Sequence, residues 1–204
     1  SARIFKSDYL EFFSKVHFTA PLYFFLPFIG YLYYSSFWER DYSIVEFLGL
    51  TLSGILIWTC SEYLLHRFLF HYHPKSKTAK RFFFIIHGVH HDYPNDAKRL
   101  VLPPSISLPL ATLFYFLFRY NIGEYYLPPF FAAFLLGYLF YDMGHYAMHH
   151  FKLKGKFWSA IKDHHMKHHY VDPKHGFGVS SPLWDVIFRS GYKDDNDVQK
   201  SSSN

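Results

Sequence analysis

Cysteine is almost absent. Cys60 stands alone among 204 residues, so no intramolecular disulfide can form and zinc sites built on several thiolates are excluded. Charge is sparse, at 18% of residues. No ExxH pair occurs, which excludes the carboxylate-bridged di-iron pattern of soluble helical bundles. No repeat of fixed period is present, and no basic start leads into an apolar run with a small-residue cleavage site. No motif interleaves aromatic and basic residues as RNA- or DNA-binding modules do, so the net charge of +5 implies no nucleic-acid partner.

What is abundant is apolar and aromatic. Half the residues are hydrophobic and 23% are aromatic, with 25 Phe and 18 Tyr. Mean hydropathy is near zero because many His and Tyr offset the apolar segments. Four stretches are apolar enough to cross a bilayer: roughly 20–37, 46–65, 104–119 and 125–141. Tyr and Trp mark their ends, as at membrane interfaces.

Charge placement orients these spans. The 38–45 connection holds only Glu39, Arg40 and Asp41 as charges, and the 120–124 connection only Glu124. Seven Lys or Arg lie between the second and third spans, and nine follow the fourth. The positive-inside rule therefore places the N-terminus, the 66–100 segment and everything after 141 in the cytosol. Lys75, Lys77, Lys80 and Arg81 read as a solvated or headgroup-facing patch. The tail 193–204, KDDNDVQKSSSN, is polar and reads as disordered.

Histidine is the second excess, at 15 residues. It recurs in clusters: HRFLFH (66–71), HGVHH (87–91), HYAMHH (145–150) and HHMKHH (164–169), with His175 following. Residues three or four apart share a helical face. His145 pairs with His149, His87 with His90 and His91, and His165 with His168 and His169. His66 and His71 are five apart, a less regular spacing. Neutral imidazole ligates iron, zinc or copper. One ion rarely takes more than four imidazoles, so ten or so imply two ions sharing a structured site. His17 and His73 read as ordinary polar residues. A disordered metal-sequestering tract would be contiguous, unlike these clusters.

These four motifs resemble the fatty acid hydroxylase and sterol desaturase superfamily. DAKRLVLPP (96–104), YDMGHYAMHH (141–150) and GFGVSSPLWDVIF (176–188) look like its fatty acid 2-hydroxylase branch, over roughly residues 45–190. The resemblance implies an all-α integral membrane protein: four transmembrane helices and a cytosolic helical cap (66–100 and 142–192) holding a di-metal site. Residues 1–192 would form a single hydroxylase domain. The implied metal ligands are His66, His71, His87, His90, His91, His145, His149, His165, His168 and His169, with His164 and His150 as flanking neighbours. His175 fits no implied ligand position. The implied cofactors are two metal ions and O2, with iron for activity and zinc possible after purification.

The implied reaction is O2-dependent hydroxylation at C2 of a fatty acyl chain, free or in a sphingolipid. Many eukaryotic members carry an N-terminal cytochrome b5 domain. None is present here, so a separate donor is expected: cytochrome b5, or a ferredoxin with its reductase. The setting would be the endoplasmic reticulum if eukaryotic and the cytoplasmic membrane if bacterial, with the site on the cytosolic face. Alternatives are a sterol or carotenoid oxygenase of the same superfamily, or a membrane metal-binding or transport protein. Supporting residues carry two readings each. Asp142, three before His145, would hold a ligand Nδ1–H. Glu62 would do similar work or pair with Arg67. Tyr141 lines the substrate entrance or is an interfacial aromatic. Asp96 and Arg99 match a family motif or pair with each other. Trp184 and Asp185 dock the C-terminal segment, Pro103 and Pro104 break the chain before the third span, and Lys167 faces solvent.

Overall fold

The computed structural model describes residues 1–192, and the expected disordered tail lies outside them. Among the described residues there is no strand. Eight α-helices follow in order: α1 (Asp8–Phe13), α2 (Ala20–Trp38), α3 (Ile44–Leu64), α4 (Lys77–Phe83), α5 (Val89–Asp92), α6 (Pro104–His150), α7 (Lys156–Tyr170) and α8 (Leu183–Ile187).

The boundaries have local causes. Pro21 opens α2, where a missing N–H costs nothing. Ser43 caps α3: its side chain accepts from the Glu46 amide, while the Glu46 carboxylate reaches back to the Ser43 amide. Pro103 precedes α6 in an extended conformation, as expected of a residue before proline. Within α6, Gly123 leaves helical geometry at φ 79° and ψ 163°, a region open essentially to glycine alone. The two arms fold back on each other there. Phe114 meets Phe134 at 5.0 Å and Phe118 meets Phe130 at 4.9 Å between ring centroids, an antiparallel pairing about the kink.

The expected spans 104–119 and 125–141 are thus the two arms of α6. The second arm runs on to His150, so residues 142–150 continue that helix rather than start a separate cap. No proline interrupts 141–150. α2 and α3 pack against the second arm, with Phe25 against Tyr138 and Trp58 against Phe134 and Tyr138. Gly54 and Gly137 permit the close approach of α3: a Cβ on Gly54 would sit 2.2 Å from the Phe130 carbonyl oxygen. The Tyr42 hydroxyl donates to the Tyr125 carbonyl and ties the two hairpin tips together. At the opposite end Phe18 stacks on Tyr146 at 4.4 Å. All the clustered histidines lie at that end.

The bundle is apolar outside as well as inside. Leu48, Leu52, Leu56 and Ile57 on α3, Phe24, Tyr31 and Phe37 on α2, and Leu113 and Phe116 on α6 are exposed. Among the described residues two helices, Ile44–Phe70 with its π-helical extension and Pro104–His150, are long and apolar enough to cross a membrane.

Candidate metal centre

Four segments deliver the histidines. α3 does not stop at Leu64 but widens into a π-helical turn over Leu65–Phe70, in which the His71 amide donates to the His66 carbonyl at 3.1 Å. In a π turn, residues five apart share a face. This local geometry brings His66 and His71 together, a pairing α-helical spacing does not explain. A second π turn, Phe84–Gly88, precedes His90 and His91. The second arm of α6 brings His145 and His149, and α7 brings His165, His168 and His169.

The ten candidate ligands form two groups. In one, the ligand atoms of His90, His145, His149, His165 and His169 lie within 4.8 Å of one another; in the other, those of His66, His71, His91 and His168 do. His87 joins the second, its Nε2 standing 3.1 Å from His66 Nε2 and 3.0 Å from His91 Nε2. Each HxxHH motif therefore straddles both groups. His87 and His91 serve one while His90 serves the other, and His165 and His169 serve one while His168 serves the other. A helix turns about 100° per residue, so i and i+4 lie about 40° apart whereas i+3 falls about 60° the other way. His165, His168 and His169 thus lie within about 100° of one face of α7 yet divide between the two groups.

The donor set fits metal ions. Seven Nε2···Nε2 separations fall between 2.9 and 3.2 Å. One ring proton can bridge one such pair, but the Nε2 atoms of His66, His71, His87, His165 and His169 each have two such neighbours, which a single proton or lone pair cannot serve and a shared cation can. Metal–nitrogen bonds of about 2.0–2.1 Å at about 90° put neighbouring nitrogens about 3 Å apart, against about 3.4 Å for a tetrahedron. Burial pushes the His91 imidazole down to about 3 and those of His71 and His169 to about 2, with neighbouring histidines adding to the effect. The rings are therefore neutral near pH 7, the form that ligates. His145 Nε2 is buried with no protein partner.

Two rings have assignable tautomers. His66 Nδ1 stands 2.6 Å from the Phe177 carbonyl and His168 Nδ1 stands 2.8 Å from the His175 carbonyl. A carbonyl only accepts, so each Nδ1 donates and each Nε2 presents its lone pair.

The supporting residues depart from expectation. Asp142 does not hold His145: its carboxylate accepts from the Leu102 amide (3.4 Å) and the Tyr138 hydroxyl (3.2 Å). The side chain leans along α6 toward Tyr138, one turn back. Glu62 does not pair with Arg67. It accepts from the Val179 and Ser180 amides, both at 2.8 Å, and from the Ser180 hydroxyl, while Arg67 donates to Tyr63. Asp96 and Arg99 neither pair through their side chains nor hydrogen-bond a histidine; they bind the N-terminal segment. Asp96 accepts from the Ala2 amide at 2.7 Å, and Arg99 donates to Glu11, Ser14 and the Ala2 carbonyl. His150 packs on Tyr146, and His164 Nε2 meets Asp185 at 3.1 Å. His17 bonds Thr19, and His175 Nδ1 bonds Asp172. Lys167 is exposed. Trp184 donates to Thr59, docking the C-terminal segment on α3.

An apolar cavity opens against both groups. Trp58, Leu110, Phe114, Phe134 and Tyr138 line it together with His87 and His145, one from each group. It holds about 710 Å³ of empty space counted to its open mouth. Tyr141 stands in its wall with its ring 5.7 Å from that of His145.

Fold and site together define a helical protein built round a histidine metal-binding centre. Residues 51–190 match the family model described as fatty acid hydroxylase, and the chain belongs to that family. It is 40% identical over 209 residues to the fatty acid 2-hydroxylase of Rattus norvegicus, covering 92% of this chain and 56% of that protein. It is 34% identical to the dihydroceramide fatty acyl 2-hydroxylase FAH1 of Arabidopsis thaliana, covering 91% of this chain and 78% of that one. The solved structure of full-length scs7p, in which only the hydroxylase domain is visible, matches with a TM-score of 0.86 at 34% identity, over 92% of this chain and 71% of that chain. The chain thus spans about half the length of the mammalian relatives it matches.

Proposed function

We propose that this chain hydroxylates the carbon beside the carbonyl of a fatty acyl chain, free or within a sphingolipid, at the expense of O2. The observation that carries the reading is the cavity: a mainly apolar space with one histidine from each group in its lining. Its lining suits methylenes rather than a charged or sugar-like substrate. The relatives named as 2-hydroxylases support the same reaction.

His90, His145, His149, His165 and His169 would hold one ion, and His66, His71, His87, His91 and His168 the other. Two irons there would supply O2 activation and C–H oxidation; zinc suits the same nitrogens without turnover. The rest of the task falls to the protein. Trp58, Phe114 and Phe134 grip the tail and exclude water. Tyr141, beside His145, is placed to hold the polar end of the chain. Asp142 fixes that wall by tying Tyr138 to the 102 amide. Residues 1–192 act as one domain. The apolar outer faces of α2, α3 and α6 lie in a bilayer as four crossings, with the histidines on the cytosolic side, in the endoplasmic reticulum or a bacterial cytoplasmic membrane. A separate carrier, cytochrome b5 or a ferredoxin with its reductase, supplies electrons.

Expression in cells without 2-hydroxylated lipid of their own tests this. Lipid mass spectrometry should find 2-hydroxyacyl species with the unaltered chain and none with His145→Ala. A hydroxylated sterol or carotenoid in their place would overturn the reading.

A further inference from the structure

The segment from His175 to Ser190 does more than dock the C-terminal end. It crosses the histidine cluster as a strap, and two of its carbonyls face ligand rings. The His175 carbonyl accepts from His168 Nδ1 and the Phe177 carbonyl from His66 Nδ1. Both rings belong to the group of His66, His71, His87, His91 and His168. Among the described residues, no histidine of the other group hydrogen-bonds to this strap.

The strap is fastened at its back. Asp185 is 1% exposed, and the hydrogen bonds to its carboxylate come from the strap and from α7. Its Oδ1 accepts from the Phe177 amide (2.9 Å) and the Ser190 hydroxyl (2.8 Å). Its Oδ2 accepts from the Gly178 amide (2.7 Å) and meets His164 Nε2 (3.1 Å). The peptide joining Phe177 to Gly178 is thereby held on both sides, Asp185 on its N–H and His66 on its C=O. The Gly176 amide donates to the Ser190 carbonyl at 2.9 Å. Gly176 has φ +71°, and a Cβ there would stand 2.5 Å from the Tyr192 hydroxyl, so the turn that aims the two carbonyls is open only to glycine.

We infer that Asp185 is a positioning residue for one metal of the pair: through the strap it sets the tautomer and aim of His66 and His168, and so governs ion retention in their group alone. The inference rests on the two-ion reading above. Partners that orient ligand histidines typically change metal affinity by about 10–100-fold when removed. A group that merely stabilised the fold would weaken both ions together.

Asp185→Asn is the test, because it keeps the shape and removes acceptors. Whichever way the amide turns, an NH2 faces an amide N–H of Phe177 or Gly178. The full chain, purified with metal, is titrated with a chelator while ion release is counted by elemental analysis. The unaltered chain should release two ions per chain. Asp185→Asn should lose one at least tenfold more readily and keep the other unchanged. Charging with Co(II) gives an independent readout: the absorption of one ion should change and that of the other should not. If Asp185→Asn does not accumulate folded, Ser190→Ala, which removes one hydrogen bond to Asp185 and one to Tyr63, should shift the same ion by a smaller factor. Equal weakening of both ions, or of neither, overturns the inference. An unaltered chain that binds one ion or none overturns the two-ion reading, and this one with it.

Discussion

Among the described residues Arg99 is the one buried Lys or Arg. It is 6% exposed, yet it carries a guanidinium, and its charge is answered by Glu11 at 2.5 Å and by the Ser14 and Ala2 carbonyls. Removing one partner of a buried pair costs up to about 3–5 kcal/mol when the other is left uncompensated; here Lys15, 2.9 Å from Glu11, would answer part of the remaining charge. Arg99→Ala should therefore lower the unfolding temperature sharply, or release residues 1–16 to protease while the helices stay protected. Arg99→Lys should rescue little, since an ammonium cannot reproduce the fork that spans four acceptors. Burial alone would raise the Glu11 carboxyl. Hydrogen bonds from Lys15 and from the Phe5 and Ile4 amides, together with the Arg99 charge, outweigh it and hold it at about 2, below its ordinary 4.5. A depressed carboxyl stabilises above its unfolded value and loses that contribution as pH falls through the folded one. Amide protection in residues 1–16, expressed relative to the intrinsic exchange rate at each pH, should thus be high at neutral pH and fall as pH drops from about 4.5 to about 2. A flat profile across that window would remove Glu11 as the anchor.

At the scale of elements, the approach of α3 to α6 depends on side chains that are missing. Gly54 faces the Phe130 carbonyl, with 2.2 Å left for a Cβ, and Gly137 lies under Trp58 with 2.6 Å. Gly49, on the same α3, has nothing within 4 Å. The two α3 glycines should therefore respond with opposite sign to the same substitution. Gly54→Ala overpacks against backbone and should cost about 1–3 kcal/mol. Gly49→Ala should gain about 0.5–1 kcal/mol from helix propensity. Thermal unfolding of both variants in one detergent reads the difference. The histidine faces follow the same element-level logic. The run of two HxxHH motifs and one HxxxH was legible as metal-ligand spacing. Which group each residue joins was not, because a helix that straddles two centres presents i+3 to one and i+4 to the other. The π turn at Leu65–Phe70 was equally hidden: nothing local in LHRFLF distinguishes it from an α-helical end.

For the molecule as a whole, the two hairpin tips lie together at one end and every clustered histidine at the other. In a bilayer this predicts opposite exposure of the two ends. With Cys60 replaced by Ser, a single cysteine at Asp41 should react with an impermeant thiol reagent from one side of sealed vesicles, and one at Lys154 only from the other. Labelling of both from the same side would end the four-crossing proposal.

The sequence by itself determined that the chain is helical and apolar, where its long hydrophobic stretches lie, and that its histidines suit metal. These follow from residue type and short periodicity, which act within a turn or two of chain. Tertiary structure alone decided the rest. It divided ten histidines between two groups, turned Asp142 and Glu62 from expected ligand partners into ties for Tyr138 and the strap, and set Glu11 against Arg99. Glu11 and Arg99 are 88 positions apart, and His66 and the Phe177 carbonyl 111. A hydrogen bond is decided by distance and direction in space, and across such separations only the packed helices supply either.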